Sequence, residues 1–362
     1  MINLDLLKAV CAAPGAPGYE QRIRELVVQE VTPLVDEVHI DAMGSVIAIK
    51  KGKAPKRAMV AAHIDEIGFM VTHIDDDGFL RFDTLGGFDP KTLTSQRVIV
   101  HGKKDLIGVL GAKPIHIMKP EERKKVVPIS DYFVDLGMPR EEVIKYVSVG
   151  DAITRERELI EIGDCVNSKS LDNRVSVFIL LETLRELQGQ EVPYDIYAAF
   201  TVQEEVGLRG ATVAATGFTP DFGFGLDVTI AFDTPSAQAH EMVTQLGKGT
   251  AIKIKDGHSI CDFRMVAYLK QLANTHEIAW QPEVLPAGGT DTAALQRSGK
   301  GGAIAGAISI PLRNMHQTIE MVHKKDIRAT IDLLKVALTK LDQYNWSFGG
   351  LKAGKQGEDE LY

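Results

Sequence analysis

The sequence predicts an α/β protein with helices on both faces of a sheet, interrupted by a β-rich insert. Two observations carry the class. Apolar runs of strand type alternate with amphipathic stretches of helical period at both ends of the chain, whereas residues from about 66 to 158 form Val- and Ile-rich runs punctuated by Gly and Pro. A third sets the scale: 362 residues suffice for about two domains, each with its own core. Hydrophobic residues at 44% and charged residues at 25% exclude disorder, collagen or coiled coil as a description of the whole.

In chain order, Ile23, Leu26, Val27 and Val31 follow a helical period, and residues 45–49 and 58–62 read as strands. The second strand delivers His63 at its C-terminal end. In the insert, Asp77-Gly78 and Gly86-Gly87 signal turns, and 97–100 and 106–110 are apolar strands. Alternation then returns: a helix over 174–187 closed by Gly189, a strand over 196–202, a strand-like piece at 222–226, and a helix over 260–272. A small-residue strand at 302–310 and a long amphipathic helix over 325–344 complete the pattern. The expected division is 1–65 plus 160–345 for one domain, 66–159 for the insert, and 346–362 for a flexible tail, Gly-rich and charged.

Lys and Arg total 41 against 49 Asp and Glu, a formal charge of −8 that disfavours nucleic acid and anionic membranes as partners. No apolar run reaches the roughly 18 to 20 residues of a spanning helix. The N-terminus lacks a basic start and its apolar stretch breaks at Pro14, so no secretory signal is expected. Cys11, Cys165 and Cys261 have no paired spacing, which argues against disulfides and thiolate zinc and for a cytoplasmic protein.

Open α/β sheets bind ligands beyond the C-terminal ends of their strands. Polar residues at such places are His63-Ile64-Asp65, Glu204-Glu205, Asp227 and His316, with Ser170-Leu171-Asp172-Asn173-Arg174 opening a helix. Each has a bland reading alone: a structural histidine, a first-turn acid at Asp172, a turn residue at Asp227. Two adjacent acids directly after an apolar strand are harder to explain, because they repel unless a cation lies between them. Two His and four or five carboxylates without thiolate form a ligand set for a pair of divalent ions bridged by one carboxylate.

These motifs, with Gln203 to Ala211, Leu226-Asp227-Val228-Thr229, Gly288-Gly289-Thr290-Asp291 and Pro311 to His316, occur in the order and spacing of one group. The chain resembles the dinuclear metallo-aminopeptidases of metallopeptidase family 42, the glutamyl and leucyl aminopeptidases that include the tetrahedral TET peptidases. The resemblance implies a zinc-peptidase-like three-layer catalytic domain carrying a small β-barrel-like oligomerisation insert. It implies that His63 and Asp227 hold one ion, Glu205 and His316 the other, and Asp172 bridges them. Asp65 would accept the second ring N–H of His63, and Glu204 would be the general base toward a hydroxide between the ions. Two positions depart from the family's habit, Asn173 beside the bridging aspartate and Gln317 after the last histidine.

Gly289, Thr290 and Asp291 resemble a substrate-pocket loop, with a glycine turn leading into a helix as the competing reading. Among the other histidines, His116 is the candidate to reach a neighbouring subunit's site; His73, His101, His240, His258 and His323 read as surface or structural. The expected function is release of N-terminal residues from short peptides by a protein that builds dimers and larger assemblies, commonly dodecamers. Zinc is the expected metal, with cobalt and manganese also compatible. A dinuclear deacylase or dipeptidase of similar fold, and a non-catalytic oligomeric scaffold, are the alternatives.

Overall fold

The computed structural model describes residues 2–235 and 237–348. Helix α1 (Leu4–Ala12) starts where the Asn3 side chain accepts the N–H of Leu6, and α2 (Gln21–Val31) buries Ile23, Val27 and Val31, one turn apart. Strands β1 (Glu37–Ile40), β2 (Val46–Lys50) and β3 (Ala54–His63) begin the main sheet. The chain then leaves it for β4 (Gly68–Ile74), β5 (Leu80–Leu85), β6 (Arg97–His101), β7 (Asp105–Gly111), β8 (Phe133–Asp135), the short helix α3 (Arg140–Tyr146) and β9 (Ala152–Arg155). These six strands close into a barrel in the order β4-β5-β8-β7-β6-β9, so no sheet edge is left open. Alternate residues, among them Phe69, Val71, Val98, Val100 and Ile153, fill its own core.

After the barrel come β10 (Ile160–Ile162), β11 (Cys165–Ser168), α4 (Leu171–Glu186), β12 (Tyr194–Thr201), α5 (Arg209–Phe218) and β13 (Phe222–Ile230). The rest is β14 (Thr250–Lys255), α6 (Phe263–Thr275), β15 (Trp280–Val284), α7 (Thr292–Arg297), β16 (Ile304–Leu312), β17 (Glu320–His323) and α8 (Lys324–Thr339). The main sheet runs β1-β2-β12-β3-β13-β16-β14-β15, and its centre, β12, β3, β13 and β16, is parallel. Parallel strands are buried on both faces and read as continuous apolar runs, as in residues 58–62. Helices α1, α2, α4, α6 and α8 share one core with the sheet, and α5 and α7 cover the opposite face around Met59, Tyr197 and Leu295. Gly225 permits the close seat of α7, because a Cβ there would stand 1.8 Å from Thr292 Oγ1.

Two expected helices differ at their ends. Helix α6 starts at Phe263, not 260, because the Asp262 side chain caps it by accepting the N–H of Arg264. The last long helix stops at Thr339 rather than running to 344, since Lys340 leaves helical geometry and a 3₁₀ turn, Leu341–Gln343, follows. Of the expected tail, Trp346 packs against Phe222, Tyr268 and Tyr344, and residues from 349 onward lie outside those described. Among the described residues no helix is long and apolar enough to cross a membrane.

Candidate active site

The parallel centre of the sheet brings the polar strand ends side by side. Thr201 of β12 pairs with His63 of β3, and Gly225 of β13 pairs with Ala61, which sets Asp227 level with His63. Beyond β12, Gln203 adopts φ +54 and turns the chain over the sheet edge, so that Glu204 and Glu205 return toward His63. Each carboxylate oxygen of Asp65 accepts one backbone N–H of that turn, Glu204 at 3.0 Å and Glu205 at 3.1 Å. Asp65 therefore clamps the two acids, a part beyond the one expected for it beside His63. The short bond of His63 Nδ1 goes to the backbone carbonyl of Asp65 at 3.1 Å, and the Asp65 carboxylate stands 3.5 Å away.

Asp172 enters α4 in non-helical geometry, and its freed N–H donates to Glu320 Oε2 at 2.9 Å. Its two carboxylate oxygens diverge: Oδ1 lies 3.3 Å from His63 Nε2 and Oδ2 lies 3.3 Å from His316 Nε2. His316 sits at φ +62 after β16, its Nδ1 2.8 Å from the carbonyl of Gly87, in the connection between barrel strands β5 and β6. That bond leaves Nε2 facing Asp172 and Glu205, the latter at 3.5 Å. Two groups result whose ligand atoms lie within 4.8 Å of one another, His63 with Asp172 and Asp227, and Asp172 with Glu205 and His316. Glu204 belongs to neither; its Oε2 is 3.9 Å from His63 Nε2.

The electrostatics of this cluster are strained. Burial and then the negative charge of Asp172 push Glu205 up to about 7, and burial lifts Glu204 and Asp227 well above the carboxylate range. Burial opposes charge on both imidazoles, yet Glu204, Asp172, Asp65 and Asp227 outweigh it at His63, and Asp172 with Glu205 raises His316 to about 10. Burial also works against the charge of Asp172, but the two histidines hold its carboxyl below its ordinary value. Divalent cations seated among these donors remove that repulsion, and oxygen and imidazole donors without thiolate suit them. The residues present thus fit a metal pair.

A cavity of about 300 Å³ opens over the cluster. Gly289 and Thr290 line it, whereas Asp291 turns inward, where its Oδ2 accepts from the Thr201 hydroxyl and its Oδ1 has no protein partner among the described residues. His258, read from sequence as surface or structural, lines the cavity as well. His116 lies exposed in a 3₁₀ turn of the insert. Sequence reasoning missed Glu320, the Gly87 carbonyl and Lys253, a buried lysine on the cavity wall. The first two act on residues more than a hundred positions away, and nothing local signals them.

An α/β body with imidazoles and carboxylates gathered at its strand ends is the architecture of a hydrolase site. Residues 44–333 match the family model described as M42 glutamyl aminopeptidase, and the chain belongs to that family. Its activity is that of a peptidase of the aminopeptidase kind. The chain is 36% identical over 350 residues to lysyl aminopeptidase of Pyrococcus furiosus, covering 94% of this chain and 98% of that one. Among solved structures, a TET aminopeptidase from a marine-sediment archaeon of the Thaumarchaeota superposes with TM-score 0.91 at 35% identity, covering 93% and 96% of the two chains. The TET1 peptidase of Pyrococcus horikoshii, which can assemble into a tetrahedron or a large octahedral shell, follows at TM-score 0.84 and 32% identity, covering 93% and 99%.

Proposed function

We propose that the chain removes N-terminal residues from short peptides at a site holding two divalent ions. His63 and Asp227 hold one, Glu205 and His316 the other, and Asp172 lies between. The observation that carries the reading is the Asp172 carboxylate, one oxygen turned to each imidazole at 3.3 Å. When bound, the ions supply Lewis acidity toward the scissile carbonyl and lower the pKa of water. Glu204, close to His63 but outside both donor groups, takes the proton of the attacking water and passes it to the departing amine as the C–N bond breaks. Asp65 keeps that carboxylate in reach by holding the backbone of both glutamates. Asp291 faces inward and accepts the Thr201 hydroxyl. Zinc is the metal of this reading, and cobalt and manganese suit the same donors.

In the same reading, residues 1–65 and 160–345 form the catalytic domain and 66–159 an assembly domain that joins copies into dimers and larger shells, up to a dodecamer. The barrel leaves Ile107, Val109, Ile115, Ile117 and Val126 exposed, more apolar surface than a closed domain of its size needs to show. Three free thiols suit a reducing, cytoplasmic setting. A leucyl peptide and its N-acetylated twin test the reaction: mass spectrometry is expected to find only the unblocked peptide shortened from its N-terminus. Equal cleavage of the blocked peptide, or release of acetate, transfers the assignment to a deacylase.

A further inference from the structure

Beyond the proposed ligands and Glu204, the charged or titratable side chains lining the cavity, among the described residues, are Lys253 and His258. Lys253 is 1% exposed, and its Nζ lies 2.8 Å from Glu283 Oε1 and 3.3 Å from Asp256 Oδ2. Both acids are buried behind it and neither lines the cavity. They are themselves fixed: Glu283 Oε1 also accepts the Thr229 hydroxyl at 2.7 Å, and Asp256 Oδ1 accepts the N–H of His258 and of Ser259. Burial opposes the ammonium charge and the two carboxylates outweigh it, so Lys253 stays charged with that charge already engaged. The apolar part of the cavity wall is Leu208, Val228, Leu285 and Met315, and Gly87, Gly207, Gly288 and Gly289 line the cavity as well. Gly289 must lack a side chain, since a Cβ would stand 2.4 Å from the His258 ring at the rim.

We infer that this wall is the subsite for the substrate's N-terminal side chain and that it selects uncharged apolar residues of the leucine and methionine kind, with Lys253 as the determinant against charge. The inference rests on the aminopeptidase reading above. A basic side chain entering the cavity meets the Lys253 ammonium before it can reach Glu283 or Asp256. An acidic one must displace a carboxylate that is already paired and hydrogen-bonded, so it gains little for its own desolvation. An apolar side chain loses nothing on leaving water and covers the Leu208, Leu285 and Met315 surfaces.

The test is kcat/KM of the metal-loaded protein on leucyl, methionyl, glutamyl and lysyl 4-nitroanilides. The leucyl and methionyl substrates are expected to exceed the other two by about tenfold or more. A glutamyl or lysyl substrate equal to or better than leucyl overturns the pocket assignment alone. If all four are inert, the aminopeptidase reading falls and takes this inference with it. Glu283→Gln keeps the shape and leaves an oxygen for Thr229 while releasing half of the Lys253 pairing. It is expected to raise the glutamyl-to-leucyl ratio by about tenfold. An unchanged ratio in a folded Glu283→Gln protein overturns the role given to Lys253.

Discussion

Adjacent glutamates with opposite fates make the sharpest test of the site. Glu205 stands in the group of Asp172 and His316, its Oε2 3.5 Å from His316 Nε2, whereas Glu204 belongs to neither donor group. Glu204→Gln preserves volume and removes the proton acceptor. Loss of a positioned acid–base group typically costs at least roughly a hundredfold in turnover, about 2.7 kcal/mol at 1.36 kcal/mol per factor of ten. Metal content is expected to stay near that of the parent, because no donor is lost. Glu205→Gln takes a charged donor from one group, and that ion is expected to be depleted. Both variants would be dialysed against metal-free buffer, analysed for metal by mass spectrometry and assayed on leucyl 4-nitroanilide. A Glu204→Gln protein that sheds metal, beside a Glu205→Gln protein that keeps it, would refute the assignment of base and ligand.

Three further outcomes are expected. Glu320→Ala should lower metal content with little change in Tm, while Glu320→Gln, which can still accept the Asp172 N–H, should restore it; equal metal content in both variants would remove Glu320 from the support of Asp172. The Arg22 guanidinium beside Asp105, aided by His101, holds that carboxyl down from 3.8 to about 2, so its stabilising contribution is complete above about pH 4 and lost as pH falls toward 2. Urea unfolding across that range should show a smaller fall in stability for Asp105→Asn than for the parent. Light scattering at micromolar concentration should find an assembly, and a strict monomer would contradict the role given to the barrel.

Residues whose chemistry sits directly beyond an apolar parallel strand were legible in the sequence. His63, Glu204 and Glu205 are of this kind, since burial on both faces makes the strand a continuous apolar run and the first polar residue at its end conspicuous; Asp227 stands out in the same way after the apolar residues 222–226, although β13 continues past it to Ile230. Strands β14 and β15 were not. β14 reads Thr-Ala-Ile-Lys-Ile-Lys with a buried lysine at 253, and β15 carries Pro282, so neither shows the run or the clean alternation that marks a strand. Helix α5, rich in Gly, Ala and Thr, has too few large apolar residues to reveal its face. A second part played by Asp65 is not legible in the sequence: proximity points to the His63 ring, 3.5 Å from its carboxylate, while the turn at Gln203 also brings two backbone donors to that carboxylate from across the sheet.

The carbonyl of Gly87 reaches His316 across 229 positions of sequence. A chain shortened by splicing Ile67 directly to Glu156 would retain every histidine and carboxylate assigned to the ions and could keep the sheet intact. It would nonetheless lose the acceptor that decides which way the His316 ring faces, and with it the reason for that imidazole to prefer the cluster over solvent. The excised barrel is thus no detachable appendage. Whatever else it does, one turn of its backbone finishes the site of the domain it interrupts, and any engineered miniature must supply a substitute acceptor at that spot.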